Sequence, residues 1–514
     1  MAVKTFAAID IGSYELSMKI FEVSKSHGMK EIDHIRHGID MGTETYTTGK
    51  LSYERVEELC GVLREFAEIM KSYKVADYVA YGTSAIRETE NTAILLDQIR
   101  QRTGIKIGVL SNSEQRFLDY KSIAFQGEGF REIIENSTAI VDIGGGSIQV
   151  SLFDKDTLVS TQNMKLGVLR LQERLTHLDA SFKHYEELLN ELVDSQIEVY
   201  KKLYLREREI ENIIIVDDYI SALVRKKSIT HEKSGYAGKE LFNYFLKEYN
   251  TKSFSQLAKA WDMPEENLPI LYISLVMVKR IMEAMGAKLV WAPGVTLCDG
   301  IAYEYAEKNK MIASAHDFEQ DIIACAHNIS KRYRGSRKRS ETLEQIALTI
   351  FDSMKKIHGL GQRERLLLQL STILHDCGKY ISMANLTECS YSIIMATEII
   401  GLSHMEREII ANVVKYNHTE FAYYEEMSRY SMMDRDSYLK IAKLTAILRL
   451  ANGLDRSHKQ KFKNVKTVLK DNQLTITVDT NEDITLERGL FGARASFFEE
   501  VYSVRPVIRQ KRTI

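Results

Sequence analysis

Along the first 125 residues the apolar and polar positions run in short strand-like series and then change to helical spacing. "FAAIDIGS" (6–13), "LSMKIFEV" (16–23) and "MKEIDHI" (29–35) are alternating or wholly apolar runs separated by turn residues, and they predict three strands. In "LSYERVEELCGVLREFAEIMKSY" (51–73) apolar residues recur every three or four places behind Ser52, a residue suited to cap a helix. A strand ("ADYVAYG"), a polar loop, a helix, a strand ("IKIGVLS") and a helix ("SEQRFLDYKSIAF") complete this stretch. From Ser137 the series restarts. "TAIVDIGGGS", "IQVSLFD" and "TLVSTQNMKLG" read as three strands, with helices following to about residue 206. "NIIIVDD" (212–218) is a further strand and "LPILYISLVMVKRIMEAMG" (268–286) a largely apolar helix. "AKLVWAPGVTLCDGIAYEYAEK" then closes the second half as strand, glycine turn and helix.

The pattern implies an internal duplication of a β-β-β-α unit. After about residue 310 it changes: residues 316–460 are helical by period, and "VKTVLKDNQLTITVDTNEDITLERG" (465–489) alternates like a hairpin around "KDNQ". Four segments are expected: 1–130, 131–310, 311–462 and 463–514, the last a small α+β tail.

Composition narrows the classes. With 69 basic and 71 acidic residues the chain lacks the strong positive charge of a general nucleic-acid binder, so no specific nucleic-acid role is expected. Its five cysteines are scattered without a CxxC pair, which points to free thiols and a cytoplasmic setting. No apolar run reaches the roughly 18–20 residues needed to cross a bilayer, so no membrane role is expected. "MAVKTFAAIDIGS" lacks a signal-peptide pattern, because Asp10 interrupts the apolar run.

Candidate chemistry lies in two turns. In "VDIGGGS" glycines 144, 145 and 146 remove Cβ atoms, so backbone N–H groups can converge on an anion, and Ser147 adds a hydroxyl. Asp142, at the end of a buried strand, suits Mg²⁺ held through water. "DIGS" (10–13) repeats these parts with Asp10, Gly12 and Ser13. Two such turns on opposing lobes would grip successive phosphates, with Mg²⁺ or another divalent cation between them.

This pairing resembles the actin-like (ribonuclease H-type, ASKHA) ATPase superfamily, and further residues narrow it to the exopolyphosphatase / guanosine pentaphosphate phosphohydrolase (Ppx/GppA) family. "YGTSAIRETEN" (81–91), with Arg87, is similar to the family's ATSAVR-type loop. "SNSEQRFLDYKSIAF" (111–125) resembles its SGxEEARL segment, and "LGVLRLQER" (166–174) its LGxxRL run. "LHDCGKYIS" (374–382) and "ILRLANGLDRS" (447–457) look like its appended HD-type domain. The resemblance implies a two-lobed actin-like α/β domain, an all-α HD-like domain and a small β-rich tail. It also implies Mg²⁺-dependent release of terminal phosphate from polyphosphate or guanosine pentaphosphate, and a homodimer. Setting "EQRFL" on "EARLI" makes Glu114 the water-activating base; the other register puts Gln115 there, and an amide cannot act as a base. Arg87 would neutralise phosphate charge. Taken alone, "SEQ" before a helix is a capping pattern.

The chain departs from the family at several places. Tyr14 and Glu15 stand where the first turn usually has Asn and Ser, Ile148 and Gln149 where the second has Thr and Glu, and "VDDYIS" (216–221) replaces a third glycine-rich segment. These substitutions also suit a non-catalytic polyphosphate or nucleotide sensor. In the HD-like part His375 and Asp376 remain, but the first histidine falls in "RSET" (339–342), a later one at Cys389, and the distal aspartate at Asn452. Two ligands do not make a dinuclear centre, so a structural role is expected for the pair, and His418 is read as packed or solvated. The basic run "RYRGSRKRS" (332–340) is read equally as a solvated loop or a guide for a polyanion.

Overall fold

A computed structural model describes residues 3–155, 157–178, 184–226, 235–314, 316–429, 433–462 and 464–511. It divides into two compact units, Met1–Phe318 and Glu319–Ile514.

The first unit contains two sheets built to one plan. In the first, β1 (Lys4–Ile11), β2 (Glu15–Ser24) and β3 (Gly28–Gly38) form an antiparallel meander. β4 (Asp77–Gly82) and β5 (Ile107–Val109) add in parallel, giving the order β3-β2-β1-β4-β5. In the second, β6 (Thr138–Ile143), β7 (Ile148–Asp154) and β8 (Thr157–Met164) repeat the meander. β9 (Asn212–Val216) pairs in parallel with β6, then β11 (Leu289–Trp291) with β9, and β10 (Tyr236–Gly238) adds at the edge, so the order is β10-β11-β9-β6-β7-β8. The repeated strand order is the duplication expected from the pattern.

Both faces of the first sheet are buried, which is why β1 reads as almost continuously apolar. Ala7, Ile9 and Ile11 meet the helix Tyr53–Ser72 through Val56, Leu59, Cys60, Leu63 and Phe66. The Ser52 side chain caps that helix by accepting from Arg55 N–H at 3.2 Å. On the other face, Phe6, Ala8, Phe21 and Val23 are covered by Leu118 and by Leu297, Ile301, Ala302 and Ala306. The helix Leu297–Lys308, assigned from sequence to the second half, therefore seals the first sheet. Each such buried aliphatic side chain contributes roughly 1.5–3 kcal/mol. The second sheet packs on the helix Leu268–Met285, whose Leu271, Leu275, Val278 and Met282 are buried.

The second unit is helical as far as Leu454, with helices that include Arg337–Ser353, Gln362–Leu374, His404–Tyr416 and Arg435–Leu454. The expected hairpin forms from β12 (Val465–Lys470) and β13 (Gln473–Asp479). Its turn residues Asp471 and Asn472 have φ of 49° and 55°, the left-handed pair that two-residue hairpin loops need. A helix, Thr485–Tyr502, then carries the chain back so that β14 (Arg505–Lys511) lies parallel to β13. The sequence cut fell at 310, whereas the units divide after Phe318. The cut between 462 and 463 abuts Lys463, which lies outside the described residues. Within the basic run, Arg337 stays exposed and pairs with Glu341, while Arg339 turns inward and is buried.

Gly300 packs against the helix Asn112–Ala124 so closely that an added Cβ would lie 2.1 Å from the Leu118 carbonyl oxygen. Gly300→Ala should therefore cost roughly 1–3 kcal/mol, read as a lower urea midpoint with unchanged slope.

Candidate active site

The two glycine turns sit at the same place in their sheets and are built alike. Gly12 N–H donates to Glu15 O at 3.0 Å, and Gly144 N–H to Ser147 O at 3.0 Å. Each turn also caps the helix that follows its meander. Ser13 O accepts from Met41 and Gly42 N–H at 2.9 and 2.7 Å. Gly144 O accepts from Val168 N–H at 3.1 Å, and Gly145 O from Leu169 N–H at 3.0 Å. Gly146 O accepts from Arg170 Nε at 2.7 Å. These carbonyls answer N–H groups that a helix start leaves open. Among the described residues no peptide bond is cis, and in a trans peptide the N–H points opposite to the C=O. The N–H groups of Tyr14, Gly145, Gly146 and Ser147 are thereby turned away from the capped helices.

The turns also touch each other. A Cβ on Gly145 would stand 3.0 Å from Ser13 Cβ, and one on Gly146 would stand 2.4 Å from the Tyr46 hydroxyl. Ser13 Oγ, Tyr46 Oη and Ser84 Oγ form a closed triangle of hydrogen bonds, 2.7, 2.7 and 2.9 Å on its sides. Arg170 lies over the Tyr46 ring at 4.0 Å and pairs with Glu88. Burial raises the Tyr46 phenol above its ordinary range, so it remains a protonated donor in this triangle.

Between the sheets the turns open on a cleft of about 100 Å³ that continues into open solvent. Asp10, Gly12, Ser13, Asp142, Gly144 and Gly145 line it, together with Tyr14, Glu15, Thr83, Ser84, Gln115, Asp119, Asp217 and Thr296. Six of the ten residues expected from sequence therefore share one cleft. Gly146 and Ser147 are not among its lining residues; Gly146 faces Tyr46 and Ser84 instead.

Arg87 and Glu114 also differ from expectation. Arg87 donates to Leu110 O at 2.6 Å and to Asn112 Oδ1 at 2.5 Å, which ties down the start of the helix Asn112–Ala124. Glu114 belongs to a capping box: its N–H donates to Ser111 Oγ at 3.2 Å, and its carboxylate accepts from Ser111 N–H at 3.0 Å. Neither lines the cleft, whereas Gln115 and, one turn later, Asp119 do. Gln115 was the alternative register; Asp119 was not anticipated, although its i+4 spacing from Gln115 is a readable signal.

The departures from the family pattern have partners. Glu15 accepts from Arg36 Nε at 2.7 Å, so its charge is compensated beside the cleft. Gln149, opposite Asp142 in the ladder, accepts from Arg116 Nε at 3.0 Å; Arg116 also donates to Thr161. Tyr14 stacks on Tyr219 with ring centres 5.6 Å apart and planes 22° from parallel. Asp217 caps its helix, accepting from Ile220 N–H at 2.6 Å and from Ser274 Oγ at 3.2 Å. The "VDDYIS" segment is thus a capped helix start with an aromatic contact. In the second unit His375 and Asp376 are buried, with Nε2 and Oδ2 3.9 Å apart. Burial, with nearby positive groups, pulls His418 down to about 3, so it is a packed, neutral imidazole. Cys389 is half-buried on the helix Leu386–Ala396.

Two duplicated lobes that present matched phosphate-type turns to a shared cleft define an actin-like α/β protein. A profile of the Ppx/GppA phosphatase family matches residues 19–309, and one of Ppx/GppA phosphatase domain III matches 323–492. The chain belongs to the Ppx/GppA phosphatase family. It is 21% identical over 452 residues to a guanosine-5'-triphosphate,3'-diphosphate pyrophosphatase of Photobacterium profundum, covering 86% of each chain. It is 23% identical over 190 residues to exopolyphosphatase 1 of Mycobacterium bovis, covering 37% of this chain and 54% of that one. A crystal structure of an exopolyphosphatase from Cytophaga hutchinsonii superimposes with a TM-score of 0.50 and 18% identity, over 59% of this chain and 98% of that one.

Gly167 is the residue on which the second turn closes: a Cβ there would lie 2.2 Å from Gly145 O and 2.3 Å from Gly146 C, both backbone atoms. Gly167→Ala should displace the turn and cost roughly 1–3 kcal/mol of stability, read as a lower urea midpoint.

Proposed function

We propose that the cleft of the first unit hydrolyses the terminal phosphoanhydride of linear polyphosphate. The observation that carries this reading is the meeting of two matched glycine turns, each with its aspartate, in one cleft. Since Gly12 and Gly144 close their own turns, the phosphate donors assigned are the N–H groups of Tyr14 and Gly145, which line the cleft, with the Ser13 hydroxyl.

Asp10 and Asp142 end β1 and β6 at equivalent places and offer hard oxygen donors. Among the described residues no three His, Cys, Asp or Glu side chains gather closely enough to hold an ion by themselves. That donor set suits Mg²⁺, which keeps several waters and binds through one or two carboxylates. When bound, the ion supplies positive charge against the phosphate oxygens.

Attack by water on a terminal phosphorus needs a proton acceptor within reach. Gln115 can orient a water but not deprotonate it. Glu114 is held in its cap. Asp119 lies one turn beyond Gln115 and lines the same cleft, and we assign it the role of base. The Tyr14–Tyr219 stack and the capped Asp217 stand where the family pattern has a glycine nest, which favours an unbranched phosphate chain over guanosine pentaphosphate. Five free cysteines, four of them buried, support a reducing, cytoplasmic setting; among the described residues no helix is long and apolar enough to cross a membrane.

Gln115 in the cleft favours one second reading, a chain that binds polyphosphate without turning it over. Phosphate release from polyphosphate, guanosine pentaphosphate and ATP with Mg²⁺ separates the two. Polyphosphate should be hydrolysed, with kcat reduced roughly 10²–10⁴-fold in Asp119→Asn and by only a few-fold in Glu114→Gln. Glutamine still closes a capping box, as Gln256 does behind Ser253, so Glu114→Gln should leave stability almost unchanged. Tight binding without release from any substrate would establish the second reading, and Gln115→Glu should then create turnover. Release that is indifferent to Asp119→Asn would remove that residue from the mechanism.

A further inference from the structure

In the second unit several helix ends converge on a buried polar pocket that the cleft chemistry does not use. The helices Gln362–Leu374, His404–Tyr416 and Arg435–Leu454 present their C-terminal ends, followed by His375, Asn417 and Asp455. Arg337–Ser353 presents its first turn, which carries Arg339. Arg339 Nη2 donates to Asn452 Oδ1 at 2.8 Å, and its Nε lies 3.6 Å from Asp455 Oδ2. Asn452 Nδ2 in turn donates to Asn417 Oδ1 at 3.4 Å.

Arg339, His375, Asp376 and Asp455 are all at most 7% exposed. Each retains one buried polar atom without a hydrogen-bond partner among the described residues: Arg339 Nε, His375 Nε2, Asp376 Oδ1 and Asp455 Oδ2. Such atoms are rare in folded proteins, and four at one place mark a pocket organised around a charge. His375 Nδ1 faces the Thr372 carbonyl at 2.7 Å, so it carries the ring proton and Nε2 presents a lone pair. A lone pair and two carboxylates are what a divalent ion would take.

The pocket nevertheless does not fit a metal. Among the described residues no three candidate side chains stand at ligand spacing, and a guanidinium already lies among them. We propose that Arg339 is the resident cation of this pocket, standing where a metal ion would otherwise stand. Two buried carboxylates require compensation, and a guanidinium stays charged where an ammonium readily loses its proton. Burial lowers the Arg339 pKa, and the charges of Asp376 and Asp455 offset part of that lowering. Lys379 Nζ lies 3.9 Å from Asp376 Oδ2, and the two side chains together bring the charge of one divalent ion. The partial negative charge at three helix C-termini adds to the attraction. Asn452 completes the exchange: it is neutral and accepts from Arg339, whereas an acid there would unbalance the pocket.

The test is metal content of the full-length protein after dialysis against Mn²⁺ and desalting, compared among wild type, His375→Ala, Arg339→His and Arg339→His/Asn452→Asp. Wild type and His375→Ala should hold equal amounts, since any ion in the first unit is common to both. The Arg339 variants should gain about one equivalent, lost again when His375→Ala is added. A wild-type ion that His375→Ala removes would overturn the proposal, as would failure of both folded Arg339 variants to gain metal. Circular dichroism reports whether those variants fold; where they do not, the wild-type and His375→Ala comparison decides alone.

Discussion

The first unit depends on two backbone turns lying against each other with no Cβ between them. Ser13 and Tyr46 occupy the space that side chains at 145 and 146 would need, and Gly167 leaves room for the carbonyls of the second turn. Because each turn caps the helix after its meander, the carbonyl side of the turn is fixed by secondary structure. The N–H side of each turn is thereby held still without the help of any long side chain.

The helix Asn112–Ala124 sets the chemistry of the cleft through its phase. With Ser111 as cap and Glu114 closing the box, Gln115 and Asp119 fall toward the cleft and Arg116 toward Gln149 and Thr161. One residue's difference in register would exchange an amide for a carboxylate on the cleft wall. Gln149 is a substitution that keeps a partner: a neutral acceptor opposite Asp142 remains satisfied because buried Arg116 donates to it.

Much of this was legible before any coordinates. The two meanders, both turns and their aspartates follow from apolar periodicity and glycine placement, and the hairpin at 465–479 follows from its Asp-Asn turn. The phase of the helix Asn112–Ala124 was harder to read, because "SEQ" satisfies both a cap and a motif. Arg339 was hidden inside a run of charges: only packing against Asn452 and Asp455 distinguishes it from exposed Arg337. The destination of the helix Leu297–Lys308 was likewise not visible, since its apolar stripe fits either sheet.

That helix has a consequence for how the chain is made. Phe6, Ala8, Phe21 and Val23 are synthesised long before part of their cover, which runs from Leu297 to Ala306 near the end of the unit. At translation rates of roughly 5–20 residues per second, some 190 residues separate Leu118 from that cover, a delay of about ten to forty seconds. The first lobe thus emerges with an unfinished face, and the ribosome's pace, or a holding chaperone, becomes part of its folding.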